Sequence, residues 1–166
     1  MTRTLYFAYG SNMSRRVIEG RRRLRVVGSE RARLLEHELT FGHRGFRFIE
    51  PAFATVVAAE GEVVHGVLWE LGGPEDLTRL DTTESRAYDR VEATVEGERS
   101  GMIRAHVYRT RRPARGLLPS RRYRDLLVSG AREHGLPAEW IARLEAQPAS
   151  LLSIPAPIIW LLERLS

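Results

Sequence analysis

The chain contains no cysteine and no lysine. The first absence excludes a disulfide framework, a thiolate nucleophile and a cysteine metal site, and it fits a reducing compartment. The second excludes a Gly-Lys-Ser/Thr phosphate loop and leaves arginine as the source of all 26 basic side chains. Long apolar runs are missing too: none approaches the roughly 18 to 20 residues that span a bilayer. The opening residues lack the basic, apolar, small-residue order of a signal peptide. Together these features predict a cytoplasmic protein with no membrane partner. His37, His43, His65, His106 and His134 are scattered without a His-x-x-x-His pair, so no metal site is expected. Ser11 lacks the Gly-x-Ser-x-Gly setting of a hydrolase nucleophile.

What is present is enough for one domain with a real core: 166 residues, 43% of them hydrophobic. The net charge of +5 raises nucleic acid as a partner, but the arginines are spread among 21 acids. The densest run, Arg21-Arg22-Arg23-Leu24-Arg25 with Arg15 and Arg16 before it, has no interleaved aromatics for base stacking. It reads as a solvated face, and no nucleic-acid partner is expected.

β-Branched and aromatic residues bounded by Gly, Pro or charge predict strands over residues 4–9, 34–41, 53–57, 63–71, 88–95 and 102–109. Helical spacing and caps predict helices over 14–19, 74–81, 120–133 and 137–145, with Pro74 at an early helical position and Ser120 as an N-cap. The layout is α+β, without alternating βαβ units, and about six short strands in one small domain imply a barrel or strongly curled sheet. Residues 1–150 form the expected domain. Residues 151–166 form an apolar extension, expected to pack on the domain or on a dimer partner.

Two places carry possible chemistry. Tyr6-Phe7-Ala8-Tyr9 stops abruptly on Gly10-Ser11-Asn12, so a strand meets a short helix at a corner whose backbone N–H groups can receive an anion or developing negative charge. A plain helix cap explains the same residues. Glu84 lies where a helix gives way to a strand, among small hydroxylated residues. A carboxylate facing a pocket there can be desolvated enough to accept and return a proton; an exposed Glu in a helix-ending loop is the alternative.

Several segments in order resemble the gamma-glutamylcyclotransferases, also described as an AIG2-like fold. They are Tyr-Phe-Ala-Tyr-Gly-Ser-Asn-Met at 6–13, Phe-Ala-Thr-Val at 53–56, Val-His-Gly-Val-Leu-Trp at 64–69 and Leu-Asp-Thr-Thr-Glu at 80–84. Pro-Ser-Arg-Arg-Tyr at 119–123 and Gly-Ala-Arg-Glu-His-Gly-Leu-Pro at 130–137 complete the set, which runs over about residues 5–146. The last segment favours the branch acting on gamma-glutamyl amino acids. The resemblance implies a small mixed β-barrel with flanking helices and a pocket for a small-molecule gamma-glutamyl substrate along Tyr6, Phe7, Ala8, Tyr9, Gly10, Ser11 and Asn12. It also implies a substrate contact from Tyr123 and Glu84 as general acid/base. The products implied are 5-oxoproline and a free amine or amino acid, with no metal or organic cofactor, in a monomer or homodimer. The family usually has glycine after the glutamate, where this chain has Ser85, and the loop to Tyr88 is shorter. Those departures keep a second reading open: a non-catalytic small-molecule-binding module on the same fold.

Overall fold

A computed structural model describes residues 3–46, 49–84 and 88–150. The first strand, β1 (Thr4–Ala8), is apolar and buried along nearly its whole length, because it is flanked on both edges. It pairs antiparallel with β3 (Glu50–Leu71), from Thr4↔Leu71 to Ala8↔Val67, and parallel with β5 (Gly101–Thr110) at Tyr6↔His106. β2 (Val26–Phe46) pairs antiparallel with β3 and with β4 (Tyr88–Gly97), and β4 pairs with β5. The order β1-β3-β2-β4-β5 closes into a barrel, which leaves no open sheet edge.

Five strands among the described residues replace the six expected, because 53–57 and 63–71 are one strand. The Glu60-Gly61-Glu62 run that reads as a boundary is a bulge inside β3, opposite the Leu35/His37 register shift. Gly61 takes φ +75° there and donates its N–H to Glu36 Oε2 at 2.7 Å, so the ladder resumes on either side. The helix expected over 14–19 is instead a 3₁₀ turn over Ser11–Met13 followed by a wide π turn over Arg16–Arg21.

Among the described residues three α-helices flank the barrel: α1 (Pro74–Thr83), α2 (Arg121–Glu133) and α3 (Ala138–Ala146). Ser120 caps α2 as expected, its Oγ accepting the Tyr123 N–H at 3.1 Å. Helix α2 lies against the 3₁₀ turn so closely that a Cβ on Gly130 would stand 2.9 Å from Met13 Cβ. The core joins Phe7, Leu34, Trp69, Leu80 and Leu127. Fully burying a side chain such as Phe7 or Leu80 stabilises the fold by about 1.5–3 kcal/mol. Trp69 also donates from Nε1 to the Asn12 carbonyl at 3.0 Å, pinning the end of β1 to the core. Among the described residues no helix is long and apolar enough to cross a membrane. The apolar extension 151–166 lies outside the described residues.

Candidate active site

The end of β1, the end of α1 and the start of α2 meet beside the β2–β3 hairpin and enclose a cavity of about 600 Å³. Tyr6, Tyr9, Gly10, Ser11 and Asn12 line it from the first of these ends, Glu84 from the second and Tyr123 from the third. Phe7 and Ala8, expected along the same wall, do not line it. Phe7 faces the barrel core, where a Cβ on Gly66 would collide with its ring at 2.8 Å, and Ala8 is buried with it. Ser85, on which the second reading turns, lies outside the described residues.

Asn12 organises the polar end. Its Nδ2 donates to Tyr6 Oη at 2.9 Å and to Glu84 Oε1 at 3.0 Å, which uses both amide hydrogens. Its Oδ1 accepts from Arg22 Nε at 3.2 Å. The side chain is thus fully committed within the protein, and it joins the strand end to the carboxylate.

Glu84 is the C-cap of α1, with φ −82° and ψ 151°. A helix C-terminus carries partial negative charge from its free carbonyls, an unfavourable neighbour for a carboxylate. Arg22 offsets this from two directions: Nη2 pairs with Glu84 Oε1 at 3.2 Å, and Nη1 donates to the Thr83 carbonyl at 2.6 Å. The Glu84 and Arg22 side chains are 12% and 21% exposed, so the pair is mostly shielded from solvent. Arg22 comes from the arginine run that reads as a solvated face. Charge density alone carries no signal of which residue turns inward.

The phenols are neutral donors and acceptors. Burial raises the pKa of Tyr6, Tyr9, Tyr88, Tyr108 and Tyr123, chiefly by desolvating the phenolate. Tyr123 Oη accepts the Ala54 N–H at 3.2 Å, which leaves its own hydrogen free to be donated. Tyr6 Oη is in the same position with Asn12. Tyr9, by contrast, donates to the Tyr108 carbonyl, and Tyr108 donates to Asp81 Oδ1 at 2.6 Å.

A second carboxylate, Glu50, also lines the cavity and is only 2% exposed. It accepts from the Ser120 N–H at 2.8 Å and from the Ser120 hydroxyl, while Arg122 stands 3.8 Å away. Burial pushes the Glu50 carboxyl above its ordinary pKa, and those donors offset part of the rise. Because Ser120 caps the helix that carries Tyr123, Glu50 fixes the start of α2 from below. Sequence reasoning missed Glu50, since its partner lies 70 residues away. Among the described residues no three His, Asp or Glu side chains cluster to hold a metal ion.

The fold has a parallel among solved structures. A solved structure named gamma-glutamyl cyclotransferase is 26% identical, with a TM-score of 0.80, and the match covers 98% of this chain and 99% of that one. Residues 63–144 match the AIG2-like family. The gamma-glutamylcyclotransferase of Bos taurus is 32% identical over 148 residues, covering 86% of this chain and 77% of the relative. The gamma-glutamylcyclotransferase of Homo sapiens is 30% identical over the same shares. The chain belongs to the gamma-glutamylcyclotransferase family, a family of enzymes.

Proposed function

We propose that the protein releases 5-oxoproline from a gamma-glutamyl compound, with Glu84 as general acid/base. The observation that carries this reading is a mostly buried carboxylate at the cavity wall, held in place by Asn12 and Arg22 and facing neutral phenols. The substrate supplies its own nucleophile. Glu84 removes a proton from the α-ammonium, and the amine attacks the γ-carbonyl to form the carbon–nitrogen bond of a five-membered lactam. The original amide bond then breaks as that proton is delivered to the departing nitrogen, a poor leaving group until protonated, and the second proton of the attacking nitrogen passes to the regenerated carboxylate and on to the released amine.

Holding the glutamyl chain folded on itself supplies most of the rate, an effect worth about 7–11 kcal/mol in favourable cases. A committed Asn12 and a capped Tyr123 favour such a rigid seat. The N–H groups of Ser11 and Asn12 and the free hydroxyl hydrogens of Tyr6 and Tyr123 are the donors available to the α-carboxylate and the tetrahedral oxyanion.

Glu84→Gln preserves size and hydrogen bonding but cannot shuttle the proton. It is expected to keep the native circular dichroism spectrum and lower 5-oxoproline release, read by mass spectrometry, by about 10²-fold or more. Near-normal turnover in a folded Glu84→Gln protein would sink the assignment. Thermal stabilisation of the parent by gamma-glutamyl compounds without any product would favour the binding-module reading instead.

A further inference from the structure

The cavity continues well past the carboxylate. The Tyr123 ring meets Phe53 edge-on at 5.1 Å between centroids, Phe53 neighbours His43 at 5.9 Å, and His43 stacks on Tyr88 at 4.1 Å with the planes 19° apart. Burial lowers the His43 pKa, so this aromatic wall is uncharged at neutral pH. Phe46 and Ile49, from the β2–β3 hairpin, and Leu126, from α2, line the same space. Phe46 is 76% exposed although it faces an apolar cavity, so an apolar occupant would cover surface that the fold leaves in water.

Arg122 stands beside this wall, one residue before Tyr123. Its ion pair with Glu50 is long, at 3.8 Å, and Glu50 already accepts two hydrogen bonds from Ser120. The Arg122 Nε is buried and has no hydrogen-bond partner among the described residues. The Arg122 side chain as a whole is 34% exposed, so its terminal Nη groups are the ones a second carboxylate can meet in a two-point fork.

We propose that this compartment receives the departing half of the substrate and selects a gamma-glutamyl dipeptide whose second residue is bulky and apolar, aromatic above all, with its free carboxylate against Arg122. The inference rests on the cyclotransferase reading. The nitrogen released as the lactam closes belongs to an amino acid whose side chain lies on Phe46 and Phe53. Glycine would leave that surface wet, glutathione places its terminal carboxylate one residue further out, and a simple amine offers nothing to Arg122.

The test is kcat/KM for 5-oxoproline release from gamma-glutamyl-phenylalanine, gamma-glutamyl-phenylalanine amide, gamma-glutamylglycine and glutathione, in the parent, Phe46→Ser and Arg122→Gln. The parent is expected to prefer gamma-glutamyl-phenylalanine over gamma-glutamylglycine by about tenfold or more. Phe46→Ser, at an exposed position that does not endanger folding, narrows that ratio at least about threefold. The free acid is expected to exceed the amide by about tenfold, and Arg122→Gln to erase most of that difference. Equal rates for phenylalanine and glycine dipeptides, or a preference for glutathione, would overturn the inference and leave the cyclotransferase reading standing. A phenylalanine preference unchanged in both variants would overturn the compartment. No 5-oxoproline from any of the four substrates would remove the reading beneath it.

Discussion

Arg22→Met separates the charge of Arg22 from its packing, since methionine keeps an apolar stem and removes the guanidinium. Three contacts go: the 3.2 Å pair with Glu84, the 3.2 Å bond to Asn12 Oδ1 and the 2.6 Å bond to the Thr83 carbonyl. A hydrogen bond involving a charged group contributes about 1.5–3 kcal/mol when buried. With the two side chains 21% and 12% exposed, water replaces part of what is lost. The expected destabilisation is therefore about 2–3 kcal/mol, within the roughly 5–15 kcal/mol of a typical domain, and the variant folds.

The larger effect falls on Glu84, which is left at a helix C-terminus with Asn12 as its remaining donor and is free to swing towards water. A displacement of about 1 Å costs on the order of 10²-fold in rate. Release of 5-oxoproline is expected to fall about 30- to 100-fold, mainly in kcat, because Arg22 acts through the position of Glu84. Arg22→Lys restores a charge without the fork and recovers only part of the rate. Urea unfolding gives the first quantity and initial rates by mass spectrometry give the second. A folded Arg22→Met protein with kcat within about twofold of the parent would refute the reasoning, and a rise in KM alone would make Arg22 a substrate contact.

Gly10→Ala places a methyl group 3.2 Å from Tyr123 Oη and 3.8 Å from Ala54 Cβ. Stability is expected to change by less than about 1 kcal/mol while kcat/KM falls about tenfold, and an unchanged kcat/KM would show that the Tyr123 hydroxyl is not needed where it stands. Burial holds His43, His65, His106 and His134 below the ordinary imidazole pKa. The unfolded chain therefore takes protons first as pH falls through about 6.5, so the stability these neutral rings carry is complete above that pH and lost below it. The urea midpoint is expected to drop between about pH 7.5 and about pH 5.5; a flat midpoint across that window would contradict the burial of these rings.

What could be read from the sequence was whatever depends on neighbours in the chain. The stop of β1 at Gly10, the Ser120 cap and the end of α1 beside Glu84 all announce themselves within a few residues. Arg22 does not, because the π turn over Arg16–Arg21 resets the helical phase and brings the end of a charged run to the cavity. Glu50 and the wall of His43, Phe53 and Tyr88 depend on barrel closure, which brings three strands and a helix N-terminus together across long separations. Phe7 and Ala8 are the converse case. They sit inside a motif that reads as a site wall, yet the close approach of β3 at Gly66 takes them into the core.

The turn after Tyr9 shapes the polar end of the cavity. In an extended strand, the six residue-to-residue steps from Tyr6 to Asn12 would span about 20 Å. The 3₁₀ turn instead brings the Asn12 amide back to 2.9 Å from the Tyr6 hydroxyl. The turn is held from three sides: Met13 N–H donates to the Gly10 carbonyl at 3.0 Å, Trp69 holds the Asn12 carbonyl at 3.0 Å, and Gly130 of α2 sits against Met13. Asn12 therefore presents its amide to Glu84 from a rigid base, while Arg22 grips the same carboxylate and the carbonyl before it from the helix side. Held from the barrel and from the helix, Glu84 lines the cavity together with Tyr6, Gly10 and Tyr123.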